Sequence, residues 1–152
     1  MDVWLWFKCP CGMAGKNKIT KEHYETLAGL RYALRKFMRF SESAAHAAGL
    51  TSQQHQAMLA IKGFPGRNYV NVGELAERLQ ILHHSAVGLV DRMVAEKLLE
   101  RKLSSKDRRQ VFIRLTSVGE RKLERLSALH RQQLKQVGPE LSRLLERLNI
   151  TG

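Results

Sequence analysis

The chain has 152 residues, room for one domain with a real core or for one domain plus helical extensions. Lys and Arg outnumber Asp and Glu by 26 to 14, and the net charge of +12 points to an anionic partner, nucleic acid before membrane. No run of apolar residues is long enough for a membrane span, and two cysteines are too few for a disulfide framework.

Residues 1–21 carry no period and read as an N-terminal arm, expected to be disordered. Val3 to Phe7 is too short for a signal-peptide core, so a cytoplasmic protein is expected. Cys9 and Cys11 flank Pro10, and no further metal ligands lie nearby at fitting spacing. A first helix is expected from about Thr20 or Glu22 to Ala48, with Tyr24, Leu27, Leu30, Leu34, Phe37 and Met38 as its apolar stripe and Gly49 as its stop.

Thr51 and Ser52 suit the start of a second helix, whose apolar positions are Ala57, Met58 and Ile61. Gly63, Pro65 and Gly66 end it, and a short strand fits Tyr69 to Val72. Asn71 caps a third helix over Val72 to Leu79, with Leu75, Ala76 and Leu79 inward. A short connection, Gln80 to Leu82, leads to a fourth helix opening at His83. Two helices so joined make a helix-turn-helix. In the fourth, Ala86, Val90, Met93 and Val94 share one face, leaving His83, His84, Ser85, Gly88 and Arg92 elsewhere on the cylinder.

Leu98 to Leu103 and Val111 to Leu115 then read as two strands joined by a polar tip. From Arg101 to Arg114 there are six Lys or Arg against one Asp. A groove-sized helix followed by a basic hairpin is a winged helix reading. Thr116 caps a long helix to Val137, with Leu123, Leu126, Leu134 and Val137 on one side and His130 at the missing step. Gly138-Pro139 is expected to break it, and a last helix, Glu140 to Leu148, continues the stripe through Leu141, Leu144, Leu145 and Leu148. The fold class is therefore mainly α with a small β-hairpin wing.

Asp91-Arg92, Leu98-Leu99-Glu100-Arg101, Asp107-Arg108-Arg109 and Arg114-Leu115-Thr116 together resemble the wing region of the MarR family of regulators, and the likeness runs roughly from Tyr24 to Leu148. The resemblance implies a winged helix-turn-helix DNA-binding lobe over 50–115 and a helical dimerisation lobe from 22–49 and 116–152, within one domain over 22–152. It also implies a small-molecule pocket between helices one, two and five. Tyr32, Phe40, His55, Met58 and Leu59 are its candidate linings, each also open to an ordinary core or surface role.

For base reading the candidates are His84, Ser85, Gly88 and Arg92; Arg92 can fork to guanine, bind phosphate, or pair with Asp91 or Glu96. Arg109 is expected in the minor groove, with Asp107 steadying the tip as the family pattern implies. Lys102, Lys106 and Arg108 are phosphate candidates, joined by Ser52 and Gln53 at a helix start. Adjacent His83 and His84 diverge too far on a helix to grip one metal ion.

No Gly-rich phosphate loop and no His-Cys-Asp grouping occurs, so no enzyme activity, cofactor or metal is expected. The function read here is a homodimeric, effector-responsive transcriptional regulator, a repressor, on a pseudo-palindromic site in double-stranded DNA. Two rivals stand beside it: a structural chromosome-binding protein without effector, and a regulator sensing oxidants through Cys9 or Cys11.

Overall fold

The structure is a computed structural model that describes residues 19–103 and 111–148. Among them are five helices and one small sheet. In chain order these are α1 (Lys21–Ala47), α2 (Ser52–Lys62), β1 (Tyr69–Val70), α3 (Val72–Leu79), α4 (His83–Ala95), β2 (Leu99–Leu103), β3 (Val111–Leu115) and α5 (Ser117–Arg147). No described helix is long and apolar enough to cross a membrane.

Local chemistry sets most helix starts. Thr51, Asn71 and Thr116 accept from backbone N–H groups three residues on, and Gln54 and Glu74 return a side chain to complete capping boxes. α1 starts likewise at Thr20, with His23 in the box. α4 differs: its cap position is Leu82, with no side-chain cap bond, so neither His83 nor His84 caps it.

The sheet is antiparallel in the order β1-β3-β2. Leu99 faces Leu115, Arg101 faces Ile113 and Leu103 faces Val111, so the hairpin register is fixed at both described ends. Leu99, Ile113 and Leu115 point into the core, where Ala57, Met58, Ile61, Val70, Leu75, Val90 and Met93 also lie fully or almost fully buried. On the outer face Arg114 pairs with Glu100.

The long helices run antiparallel. Glu22 meets Arg147 at 3.6 Å, Ser41 meets His130 at 2.8 Å, and Lys122 Nζ donates to the Ala48 carbonyl at 3.0 Å. Gly29 lets Leu144 approach closely, since a β-carbon there would stand 3.2 Å from it. Thr26, Ala33, Ser41 and Ala45 are the buried residues of α1. Of the larger apolar ones, Tyr24, Leu27, Leu34 and Met38 stay exposed in the single chain, while Leu30, Phe37 and Phe40 are half-buried.

α5 corrects one expectation. Gly138-Pro139 does not break it; Pro139 lies inside a helix of 31 residues. Proline removes one helical hydrogen bond and crowds the β-carbon of the residue before it. Here that residue is glycine, which has no β-carbon, and packing along α1 offsets the lost bond. The leucines beyond are half-buried, so α1 covers part of a stripe that the sequence left without a partner.

Candidate nucleic-acid interface and ligand cleft

α4 buries Ala86, Leu89, Val90 and Met93 and turns the opposite side outward. Ser85, Gly88 and Arg92 follow one another at spacings of three and four and share that outer face, and His84, about 100° round the helix from Ser85, borders it. His84, Ser85 and Arg92 are exposed and Gly88 is half-buried. The absence of a side chain at Gly88 has a use: a β-carbon there would stand 3.4 Å from Arg92 Nη1, so the guanidinium lies back over this position.

The carboxylates that could have held Arg92 are engaged elsewhere. Asp91 pairs with Arg101 of β2, and Glu96 accepts from Gln54 Nε2 at 2.8 Å. Among the described residues Arg92 makes no ion pair within 4.0 Å. Its guanidinium is free to meet an anion.

Tertiary structure brings Ser52 and Gln53 to the same place. The first turn of α2, with Thr51 to Gln54, shares a hollow of about 390 Å³ with Leu89, Arg92 and Glu96. Unpaired N–H groups of a helix start and an Arg thus converge on one recess, an arrangement suited to a phosphate group. Lys102 is exposed on β2, opposite Phe112. Lys106, Asp107, Arg108 and Arg109 lie outside the described residues.

A second feature sits where α1, α2 and α5 meet. A cleft of about 830 Å³ is lined by Phe37, Met38 and Ser41 from α1, His55, Gln56 and Leu59 from α2, and Ser127, His130, Arg131, Leu134 and Lys135 from α5. Of the five candidate linings, His55 and Leu59 are on its wall. Met58 is wholly buried in the core. Tyr32 is exposed beside Lys36, whose Nζ is 5.5 Å from its ring. Phe40 reaches the site through His130, its ring 5.5 Å from that imidazole. His130 carried a sequence signal of its own, a polar residue at an apolar step. Arg131 and Lys135 carried none, because wall positions depend on how the helices pack.

Inside the cleft two imidazoles lie together. The His55 and His130 rings are 4.7 Å apart, tilted by 39°. His130 Nδ1 is 2.7 Å from the Leu126 carbonyl, which can only accept, so that nitrogen carries the proton. Nε2 lies 2.8 Å from Ser41 Oγ, a hydroxyl that can donate or accept. His55 is 4% exposed, and among the described residues its Nδ1 has no hydrogen-bond partner. A buried polar atom left unpaired costs about 1–3 kcal/mol. Burial pushes the His55 imidazole below its ordinary value, and the neighbouring His130 adds to the shift.

Residues 48–110 match the model of the MarR family. No curated protein matches the chain. Solved structures do. A multiple antibiotic-resistance repressor from Listeria monocytogenes is 25% identical, with 90% of this chain and 97% of that one covered at a TM-score of 0.65. A MarR family protein from Bacillus stearothermophilus is 23% identical, covering 87% and 96% at 0.69. A mutant of MepR from S. aureus bound to an oligodeoxyribonucleotide is 17% identical, covering 88% and 95% at 0.62.

Proposed function

We propose that this chain, a MarR-family protein by its residues 48–110, is a sequence-specific DNA-binding transcriptional regulator that works as a homodimer and yields to a small-molecule effector. The observation that carries this reading is the outer face of α4. Ser85, Gly88 and Arg92 share it with His84 at its border, Arg92 has no ion-pair partner among the described residues, and the start of α2 opens onto the same recess. The outer face of the helix would enter the major groove, with Arg92 of its last turn on a guanine edge or a phosphate. Ser52, Gln53 and Lys102 would hold the backbone, as would Lys106 and Arg108, while Arg109, steadied by Asp107, would enter the minor groove. MepR has been captured with an oligodeoxyribonucleotide, and its fold is the one found here.

The dimer is supported by Tyr24, Leu27, Leu34 and Met38, exposed on one side of α1, and by Leu129 and Leu134 exposed on α5. Four large apolar side chains on one helix face mark a surface awaiting a partner. Two copies related by a twofold axis would present two α4 helices to a pseudo-palindromic site. The cleft beside α1, α2 and α5 would hold the effector, whose preference for one of two conformations would weaken operator binding; the chain would act as a cytoplasmic repressor.

Selection of bound sequences from a random DNA pool tests the reading. It requires a defined, pseudo-palindromic sequence held about 10³-fold or more tighter than random DNA at physiological salt. Equal affinity for all sequences would favour a structural chromosome-binding protein instead.

A further inference from the structure

Arg92 and Glu96 stand one turn apart on α4, the spacing at which opposite charges on a helix pair. They do not pair here. The Arg92 guanidinium lies back toward Gly88, one turn the other way, and the Glu96 carboxylate accepts from Gln54 Nε2 at 2.8 Å. Gln54 is buried in the first turn of α2, and its other amide atom, Oε1, accepts from the Thr51 backbone N–H at 2.9 Å. An ionised carboxylate can only accept and a backbone N–H can only donate, so a single orientation of the amide serves both partners. The capping box of α2 therefore fixes the amide that holds Glu96. Gln54, Arg92 and Glu96 all border the recess beside the start of α2.

We propose that Gln54 is a positioning residue for DNA binding: by holding the Glu96 carboxylate it keeps Arg92 unpaired, and without it Glu96 turns back to Arg92 and competes with DNA for the guanidinium. This rests on reading Arg92 as a DNA contact. The other nearby carboxylate, Asp91, is held by Arg101 and takes no part. Arg92 and Glu96 are both exposed, so the pair they form once Gln54 is gone is weak, favouring contact by about twofold. A competitor of that strength leaves about one Arg92 in three free, which weakens DNA binding about threefold for each subunit on the DNA.

A double-mutant cycle of Gln54→Met and Glu96→Gln on the full chain, read as affinity for its selected DNA at fixed salt, tests this. Gln54→Met should weaken binding about threefold per subunit. Glu96→Gln removes a negative charge beside the DNA and should strengthen binding by itself. In the Glu96→Gln background the loss on Gln54→Met should disappear, because no carboxylate is left there to take Arg92. An equal loss in both backgrounds would overturn the proposal and make Gln54 only a structural cap of α2; so would no loss in either. Arg92 can also be read without DNA. The NMR signal of its side-chain Nε–H should shift on Gln54→Met and return when Glu96→Gln is added. Glu96 is exposed, so Glu96→Gln alone keeps the fold and should leave that signal in place. A shift with this variant alone would mean that Glu96 already holds Arg92 in the unaltered chain, against the proposal. The two readings fail separately. If Arg92→Ala costs the unaltered chain no DNA affinity, Arg92 is not a DNA contact and the role of Gln54 falls with it. An unmoved signal on Gln54→Met, beside a real loss on Arg92→Ala, would overturn the role of Gln54 alone.

Discussion

Gly119 in the first turn of α5 lies against the carbonyl of Leu98 so closely that a β-carbon there would collide with the oxygen. The same carbonyl accepts from the Thr116 backbone at 3.0 Å, and the Thr116 hydroxyl donates to Lys97 O at 2.6 Å. The base of the hairpin therefore rests directly on the start of α5. Gly119→Ala should destabilise the chain by about 1–3 kcal/mol, because the obstacle is backbone and cannot turn aside. Urea unfolding at one fixed protein concentration would show it as a lower midpoint. An unchanged midpoint would mean that the contact is looser than this.

Gly138 and Pro139 should not behave as independent sites. Pro139→Ala restores a helical N–H and should stabilise α5 by as much as about 3 kcal/mol. Apart from its chain neighbours, a β-carbon at Gly138 meets nothing within 4 Å. Gly138→Ala should therefore add about 1 kcal/mol once the proline is gone, and little or nothing while it crowds that β-carbon. A double-mutant cycle in urea reads this coupling directly; simple additivity would refute it.

Arg92→Ala and Lys102→Ala should weaken DNA binding in different ways. Arg92 is on the outer face of α4; if it meets a base edge as proposed, its loss should cost about 1–3 kcal/mol and relax preference at one position per half-site. Lys102 on β2 should act on phosphates, so its loss should weaken all sequences alike and lower the salt slope by about one. Affinities on a panel of singly altered operators, at two salt concentrations, distinguish these patterns. A uniform loss for Arg92→Ala would reassign it to the phosphate backbone.

His55 should make the chain less stable in acid. Its folded value is depressed, so the unfolded chain binds the proton more readily. The stability tied to the neutral buried ring is complete above the ordinary histidine value of 6.5 and is lost as pH falls below it toward the depressed folded value. Thermal melts from neutral to mildly acidic pH should show this decline, and His55→Asn should reduce it. An equal decline in that variant would place the acid sensitivity elsewhere.

Leu27→Asp combined with Leu34→Asp should yield folded monomers. Both side chains are exposed, so the chain loses little core on substitution, while two charges would be buried if that face meets a second copy. Sedimentation should show halved mass, and helix content by circular dichroism should persist. A dimer that survives would move the interface off this face of α1.

The sequence by itself determined the helices, the hairpin and where most elements begin, because those depend on neighbours three or four residues away. Thr51 with Gln54 and Asn71 with Glu74 form their capping boxes from local geometry alone. The alternation around Ile113 likewise marks its strand without reference to anything distant. Only the tertiary structure decided which side chains are free and which meet. Asp91 and Glu96 stand beside Arg92 in sequence, yet Arg101 and Gln54 take them, because β2 and α2 pack next to α4. His55 and His130 come from helices far apart in the chain, and only the crossing of α2 and α5 stacks them. Pro139 reads as a helix end by local chemistry, but packing along α1 carries α5 through it, since burial spread over a long helix outweighs one missing hydrogen bond.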